Sequence, residues 1–415
     1  MKKVCLVFFV AIFFMKVQAQ ERPVIFVHGM LGSGDTWSRT AQYFVAAGYQ
    51  SSDIAVLDWN SVGMNTKKAT NQLDSLINLV INRTGSKQVD LVGHSAGGGL
   101  CYAYLKDSIK ALQVAHYVHL ASSKISKPAL VSTLNLFSSA DKITGGSACE
   151  GAKNVDIPEK DHYQIATCKE SALNMYAFFH DKNLADVPLR FGSKKQMAYA
   201  IQGKVCSLGE NMPDSGAVVT IYELDTKEGK RKLNAFETIT TSDGLWGPFS
   251  AKAGVSYEFV VTPFIKNKRT IHYFMEPFAA NDQLVYLRTL PASGMAAMML
   301  SSIPKKAEEC ALAIFISNGA VISGRDHLLV EKVELSTEEL SPDRKTAIAH
   351  FIYDDGDKIS SGKPLGMFKM MPFMSGADVF LSANEPAPIT IEYNGKTMKV
   401  PRIKSTEGIM VAVFK

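Results

Sequence analysis

The sequence has few cysteines, and their spacing does not suit a metal ion. Six cysteines occur in 415 residues, and none forms a C-x-x-C pair or a cluster with histidine. Structural zinc sites need closely spaced Cys and His ligands, so the pattern argues against a zinc module. Nor does the sequence contain a cluster of oxygen ligands that would suit calcium. We therefore expect neither a metal nor a cofactor.

The chain also lacks a strong excess of charge of either sign. Its formal net charge is +5, and three lysines without an acid in residues 1–19 leave +2 for the rest. So small a charge gives no reason to expect nucleic acid or an acidic membrane surface as a partner. Apolar residues make up 46% of the chain and charged residues 20%, which is typical of a folded globular protein.

Long apolar runs are absent outside the N-terminal segment. Lys2 and Lys3 precede an apolar run from residue 4 to residue 15, and residues 17–19 begin and end with a small side chain. This pattern is typical of a secretory signal peptide that is cleaved after residue 19. The alternative, a membrane anchor, needs about 20 apolar residues. The sequence therefore predicts a protein that is secreted or exported to the periplasm or cell envelope.

Export bears on the cysteines, because disulfides persist in oxidising compartments. Five cysteines remain after the signal peptide is removed. Cys149 and Cys168 are the candidates for a disulfide, which would staple the loop between them. The alternative is that all five are buried thiols, as free cysteines often are.

The length of the chain and its changing pattern indicate several domains. A single compact core does not reach 415 residues, so two or three domains are expected. Strand-like and helix-like patterns alternate up to about residue 186, which indicates a parallel sheet covered on both faces. The strand-like runs are 23–27, 54–58, 89–92, 114–120, 133–138 and 154–157, and the helix-like patterns are 37–47, 66–83, 100–106 and 168–179.

After residue 189 the pattern becomes one of short alternating strands between Gly, Asp and Pro turns. This predicts a β-sandwich, which resembles the carboxypeptidase-regulatory-like sandwiches, followed by a second β domain. No long repeat or low-complexity tract interrupts the chain. The predicted parts are a signal peptide (1–19), an α/β domain (20–192), a β-sandwich (193–292) and a C-terminal β domain (293–415).

One pentapeptide of the α/β region carries the strongest chemical signal. The run 89–92 leads into the G-x-S-x-G sequence of residues 93–97, and a helix-compatible stretch follows. A tight strand-to-helix turn needs small flanking residues and lifts a serine hydroxyl above the sheet. Ser95 is therefore the predicted nucleophile, provided that a base and an acid lie where the fold requires them.

Two later strands supply the partners in the required order. Asp141 follows the run 133–138, and His162 follows the run 154–157. In an α/β-hydrolase the triad runs Ser, acid, His along the chain, each at the carboxyl end of a strand. We therefore predict His162 as the general base and Asp141 as the residue that orients it.

Other residues of the same types are less suitable. His116 and His119 lie within an apolar strand, and the backbone of His94 is expected to direct its ring away from the site. Asp161 adjoins His162 in the sequence, and adjacent side chains rarely face each other, while Asp156 lies within a strand. The geometric test for an orienting partner favours Asp141.

The oxyanion site requires two backbone N–H donors. Ala96, directly after the nucleophile, is one candidate. Met30 is the other, because it follows His28 and Gly29 in the loop after the first strand. Taken alone, His28 and Gly29 also fit a plain turn in which the imidazole binds backbone.

Residues 23–32 and 89–97 resemble the corresponding motifs of small secreted bacterial lipases of the α/β-hydrolase fold. The resemblance implies a nucleophile, acid, base and oxyanion pair at Ser95, Asp141, His162, Met30 and Ala96. The β-rich remainder is similar to the C-terminal β domains of multidomain microbial lipases.

The sequence contains no cap insertion between the loop of Met30 (the oxyanion loop) and the loop of His162 (the histidine loop). This predicts a site that is open to solvent. Met64, Leu130 and Leu134, together with Met30, are candidates for an acyl-binding wall, and core packing is the alternative.

The expected activity is that of a serine carboxylester hydrolase, a lipase or esterase. The alternatives are an esterase on acylated polysaccharide or polyester, and a non-catalytic envelope or glycan-binding protein. The β domains are expected to contact a lipid interface or glycan, or to cover the hydrolase.

Overall fold

The computed structural model describes residues 21–63, 65–190, 196–225, 228–265, 268–293, 297–298, 300–369 and 371–415. The predicted signal peptide and Met64 lie outside the described residues. Within those residues, no helix combines the length and the apolar character that crossing a membrane requires.

The N-terminal part is built on a sheet of six parallel strands in the order β2-β1-β3-β4-β5-β6. The strands are β1 (Val24–Val27), β2 (Ile54–Leu57), β3 (Val89–His94), β4 (Val114–Leu120), β5 (Ser132–Phe137) and β6 (Lys153–Asp156). Most of β1 and β3 is fully buried, because helices cover both faces of the sheet.

Helices cover the two faces of this sheet. They are α1 (Ser38–Ala46), α2 (Thr66–Thr84), α3 (Ala96–Tyr104), α4 (Ser108–Ala111), α5 (Gln164–Thr167) and α6 (Lys169–Phe179). Helices α1, α5 and α6 pack on one face, and α2 and α3 pack on the other. In α2, for example, Leu73 and Ile77 lie one turn apart and are fully buried, Asn65 caps the first turn, and Gly85 ends the helix with a φ of 71°.

The β-rich remainder forms three sheets. Its strands are β7 (Ala198–Ser207), β8 (Val218–Leu224), β9 (Arg231–Ile239), β10 (Leu245–Lys252), β11 (Tyr257–Thr262), β12 (Ile271–Met275), β13 (Asp282–Thr289), β14 (Leu312–Ile316), β15 (Leu328–Val330), β16 (Val333–Glu334), β17 (Ala349–Tyr353), β18 (Met374–Asp378), β19 (Ile389–Tyr393), β20 (Lys396–Val400) and β21 (Ile409–Phe414). The sheet orders are β10-β7-β13, β18-β17-β14-β21-β12-β11-β8-β9 and β16-β15-β19-β20.

The eight-stranded sheet lies between the other two as the middle of three layers. Alternate residues of its strands face opposite cores: Tyr273 and Ala313 pack toward the three-stranded sheet, whereas Phe274 and Leu312 pack toward the four-stranded sheet. Strand β12 pairs with β21 in parallel, so this sheet continues across the predicted boundary at residue 293.

The architecture confirms the predicted fold class, an α/β-hydrolase domain followed by β modules. The strands and long helices of the α/β domain lie close to the predicted runs. The main difference is α3, which begins at Ala96 instead of residue 100. Three glycines at its start resemble a loop in sequence, but Gly97 and Gly98 pack so closely on neighbouring atoms that a Cβ would not fit.

Candidate active site

Ser95 lies in a strained turn between β3 and α3. Its φ of 53° and ψ of −123° fall in a region that non-glycine residues rarely adopt. The turn is fixed by a bond from the Ser95 amide to the Leu120 carbonyl (2.9 Å) and by the Ser122 hydroxyl, which donates to the Ser95 carbonyl (2.7 Å). A Cβ on Gly93 would lie 2.6 Å from the Gly97 carbonyl oxygen, which explains the glycine there. The turn presents the Ser95 hydroxyl to the carboxyl edge of the sheet.

The structure brings Ser95, His162 and Asp141 together in one hydrogen-bonded chain. The Ser95 Oγ lies 2.9 Å from His162 Nε2, and His162 Nδ1 lies 2.8 Å from Asp141 Oδ2. We assign the imidazole the tautomer that donates from Nδ1 to Asp141 and accepts from Ser95 at Nε2. This is the geometry of a nucleophile, a base and an orienting acid.

Asp141 is buried but stays ionised. Burial by itself raises the pKa of this carboxyl. The hydrogen bond to His162 and the charge of the His162 ring lower it, as do the hydrogen bonds from Thr144 and Ile143, and the resulting pKa is about 2. The Thr144 hydroxyl donates to Oδ2 (2.7 Å), and the Ile143 amide donates to Oδ1 (2.7 Å). An ionised Asp141 is suited to holding the tautomer of His162 and to stabilising its protonated form.

His94 supports the site, contrary to the expectation that its ring faces away. Its Nε2 donates to the His162 carbonyl (2.8 Å), and the two rings lie 4.9 Å apart. Burial and the neighbouring His162 lower the pKa of His94 to about 3, so its ring is neutral. His94 therefore holds the backbone of His162.

The remaining candidates have other partners. Asp161 caps α5 by accepting from the Tyr163 and Gln164 amides. His116 pairs with Asp90, and the other strand histidine, His119, bonds to Tyr117 and Ser123. Asp156 accepts from the Ser139 amide. None of these bonds joins the chain of Ser95, His162 and Asp141.

The loop after β1 approaches Ser95 closely. A Cβ on Gly29 would lie only 2.9 Å from the Ser95 Cβ, so the loop passes directly over this side chain. The amide of Leu31 is bound by the Ser61 hydroxyl, and that of Gly32 by the Gly29 carbonyl. The Ala96 amide, in the first turn of α3, has no acceptor within the helix. The loop thus brings Gly29, the residue before Met30, next to Ser95. The oxyanion role of Met30 and Ala96 stays a prediction.

Three family models match parts of the chain. Residues 21–113 match the class 2 lipases, and residues 198–291 match the lipase C-terminal domain. A third model, also of a C-terminal domain, matches residues 316–413. The chain is thus similar in its parts to class 2 lipases and to the C-terminal domain of lipases. These matches support a carboxylester hydrolase at the level of the family.

Solved structures similar to this hydrolase have low sequence identity. A lipase from Bacillus licheniformis is 15% identical, with 39% of this chain and 92% of that one covered and a TM-score of 0.32. A carboxylesterase from Bacillus subtilis is 13% identical, with 40% of this chain and 86% of that one covered and a TM-score of 0.29.

The predicted disulfide is wrong. Cys149 and Cys168 are both free thiols in the hydrolase. Cys149 is bound through its backbone to Asn154, whose side chain contacts Asn135 on one face of the sheet. Cys168 packs among the apolar residues of the opposite face, next to α6. The sheet therefore separates the two sulfur atoms, which the sequence distance between them could not reveal.

Two of the predicted acyl-wall residues also lie elsewhere. Leu134 is 1% exposed and packs in the core under α1 and α6, so the core alternative applies to it. Leu130 is 60% exposed and precedes β5, at the edge of the sheet opposite to the triad. Met64, the third, lies outside the described residues.

The C-terminal module covers the histidine loop, so the site is less open than predicted. Phe373 stacks on His162 with ring centroids 5.8 Å apart, and its φ of 66° marks a constrained backbone. Asp161, beside His162, accepts from the Ala320 amide (3.2 Å) and pairs with Arg325 (3.0 Å). The cover thus comes from a distant part of the chain and not from an insertion in the α/β domain.

The β-sandwich contacts the α/β domain on the side of the loop after β1. Arg288 on β13 pairs with Asp35 (2.6 Å) and donates to the Ser33 hydroxyl. Burial by itself lowers the pKa of Arg288, but the Asp35 carboxylate raises it overall. Asp58, after β2, accepts from both Lys204 and Tyr286 at 2.8 Å. Charged pairs this well enclosed fix the two domains against each other.

A cavity of about 470 Å³ lies where the three parts of the hydrolase meet. Leu31 and Tyr163 from the α/β domain line it, together with Val285 from the sandwich and Phe351 and Phe373 from the C-terminal module. Phe373 lines the cavity and stacks on His162, so the cavity lies near the triad, although Ser95, His162 and Asp141 do not themselves line it. Its volume is within the range of sites that hold small molecules.

One acidic group among the described residues could hold a metal ion: Asp354, Asp355 and Asp357. It follows β17 and belongs to none of the loops that carry the triad. Sequence reasoning missed His94 and Phe373 as residues of the site. The adjacency of His94 to Ser95 is a usable signal, whereas Phe373 comes from a distant module and carries none.

Proposed function

We propose that the hydrolase is a secreted serine carboxylester hydrolase that cleaves esters of medium or long acyl chains through an acyl-enzyme on Ser95. The observation that carries the proposal is the chain of bonds from Ser95 Oγ through His162 to Asp141, at 2.9 and 2.8 Å. Secretion rests on the N-terminal segment, residues 1–19.

Acylation begins when Ser95 Oγ attacks the carbonyl carbon and His162 Nε2 takes the hydroxyl proton. Negative charge then develops on the carbonyl oxygen, where the Met30 and Ala96 amides donate to it. The tetrahedral intermediate collapses, and His162 returns the proton to the leaving alcohol. Water, activated by the same imidazole, then attacks the acyl-enzyme and releases the carboxylic acid.

The cavity supports the assignment of the acyl group. Its lining is largely apolar, with Leu31, Val285, Phe351 and Phe373 among the contributing residues. It is also lined by Lys396, whose side chain is 48% exposed, so the cavity reaches the surface there. A largely apolar cavity that includes Phe373, the residue stacked on His162, suits an extended hydrocarbon chain better than a sugar or a polymer backbone.

Filling the cavity is expected to shorten the preferred acyl chain. Ala313, on β14, is buried and lines the cavity. The Ala313→Phe variant is expected to lower kcat/KM for a palmitoyl ester roughly 10- to 100-fold, because each methylene kept out of an apolar site forfeits about 0.8 kcal/mol. Activity on an acetyl ester is expected to stay within about twofold. A series of p-nitrophenyl esters from acetate to palmitate measures both values.

Ala235→Phe is the matched control, since it makes the same change at an exposed position of β9. An equal loss on acetate and palmitate in Ala313→Phe would contradict the assignment of the cavity. A wild-type enzyme that is most active on acetylated xylan would favour the polymer esterase. A wild-type chain with no activity on any ester would favour the non-catalytic binding protein.

A further inference from the structure

Asn211 of the β-sandwich reaches into the α/β domain. It lies in the turn between β7 and β8, is 5% exposed, and adopts a φ of 57°. Its amide nitrogen lies 2.9 Å from the Gly32 carbonyl oxygen, 3.0 Å from the Trp59 carbonyl oxygen and 3.2 Å from His28 Nε2. Two amide protons thus serve three acceptors, all from the α/β domain.

Two of the acceptors, His28 and Gly32, belong to the loop that carries the Met30 amide. The third, Trp59, holds this loop through a bond to His28. His28, directly after β1, is fully buried, and its Nδ1 donates to the Gly29 carbonyl (2.7 Å). Its Nε2 therefore has a lone pair to accept from Asn211 and from the Trp59 amide (3.3 Å). Burial lowers the pKa of His28, which keeps the ring neutral and in this role. Asn211 thus binds this loop at His28 and at Gly32, on either side of Met30.

The position of this loop bears directly on the reaction. Gly29 is so close to Ser95 that the loop cannot move toward the nucleophile, and the carbonyl of Gly29 is held by His28 and by the Gly32 amide. An oxyanion donor works only when it is held at about 2.7–3.1 Å from the oxygen that becomes charged. A shift of about 0.5 Å is enough to weaken such a site.

We propose that Asn211 is a positioning residue for the oxyanion loop, so that the β-sandwich completes the active site instead of serving only as a cover or a targeting module. The inference rests on the proposed function, since it assigns Asn211 to the same reaction. Asn211 touches no reacting atom; it acts through His28 and Gly32 on the amide of Met30.

The direct test is Asn211→Gly, which removes the amide while glycine tolerates the positive φ. We expect kcat for a p-nitrophenyl ester to fall about 10- to 100-fold with KM within about twofold, because the lost contact matters mainly in the transition state. The inhibition constant of an alkyl boronic acid, which forms a tetrahedral adduct on serine, is expected to rise by the same factor as kcat/KM falls. Binding of a long-chain alcohol, which carries no negative charge for these amides to stabilise, is expected to change less than twofold.

Two further variants separate positioning from stability. Asn211→Asp keeps the size and the backbone preference, but its carboxylate has no N–H to donate to the Gly32 and Trp59 carbonyls, so it is expected to show the same loss in kcat. Gln283→Ala removes another bond between the domains, from Gln283 to the Ser51 carbonyl, away from the oxyanion loop. It is expected to leave kcat and the boronate constant unchanged.

An unchanged kcat in folded Asn211→Gly and Asn211→Asp would overturn the inference. So would a loss of kcat without a matching loss of boronate affinity. A wild-type enzyme with no esterase activity would instead refute the proposed function, which distinguishes the two failures.

Discussion

Replacing Ser95 by alanine is expected to lower kcat by about 10⁶-fold, because the variant has no nucleophile for the acyl-enzyme. The Ser95 hydroxyl accounts for one bond in the site, to His162 Nε2, so the fold is expected to be retained. Initial rates on a p-nitrophenyl ester give kcat, and thermal unfolding of the same samples gives the stability. Residual activity within about tenfold of the wild type, in a folded variant, would contradict the assigned nucleophile.

The triad also predicts how losses combine. Groups that act as a unit are not additive, so the double variant Ser95→Ala with His162→Ala is expected to be about as active as Ser95→Ala alone. Additive losses would mean that His162 serves some other step. The same rate assay measures both outcomes.

Replacing Arg288 by methionine is expected to reduce the free energy of unfolding by about 3 kcal/mol, because the enclosed Asp35 carboxyl would lose its ion-pair partner. The side chains of Arg288 and Asp35 are only 13% and 11% exposed, so water cannot fully replace the pair. Denaturant unfolding followed by tryptophan fluorescence measures the change. Activity is expected to fall as well, since Arg288 also binds Ser33 beside the oxyanion loop.

The control for this prediction removes both charges. The double variant Arg288→Met with Asp35→Leu is expected to recover part of the lost stability, because no unpaired charge remains. A cost within about 0.5 kcal/mol for Arg288→Met alone would mean that the pair is solvated as at a surface. That result would contradict the tight docking of the sandwich on the α/β domain.

The strands of the α/β domain could be predicted because strands that are buried on both faces of a sheet consist largely of apolar residues. Strand β1 is a short, continuous apolar run and β3 is a largely apolar one, and each ends where the chain reaches the carboxyl edge of the sheet. That regularity also located the candidate site. Once Ser95 was placed after β3, the order of the fold left few positions for Asp141 and His162.

The wrong predictions concern side chains for which the sequence does not show on which face of the sheet they lie. Leu134 is a predicted pocket residue, but alternate residues of β5 face opposite sides of the sheet, and Leu134 faces the core. Cys149 and Cys168 are close along the chain, yet the sheet separates them. The sequence indicates which residues are apolar or reactive; the face on which each lies depends on the register.

The contributions of the β modules could not be predicted for a different reason. Phe373 contacts His162 across more than two hundred positions of sequence, and Asn211 contacts His28 across 183. No local pattern marks a residue whose partner lies in another domain. These contacts change the interpretation of the modules, which contact the loops that carry His28 and His162.

Covalent labelling shows whether Ser95 is the residue that becomes acylated. Incubation of the full chain with an alkyl fluorophosphonate, followed by peptide mass spectrometry, is expected to give one adduct per molecule, on the peptide that contains Ser95. Ser95→Ala is expected to give none, and His162→Ala is expected to label much more slowly. An adduct on another residue, or no adduct on a folded wild-type chain, would contradict the account.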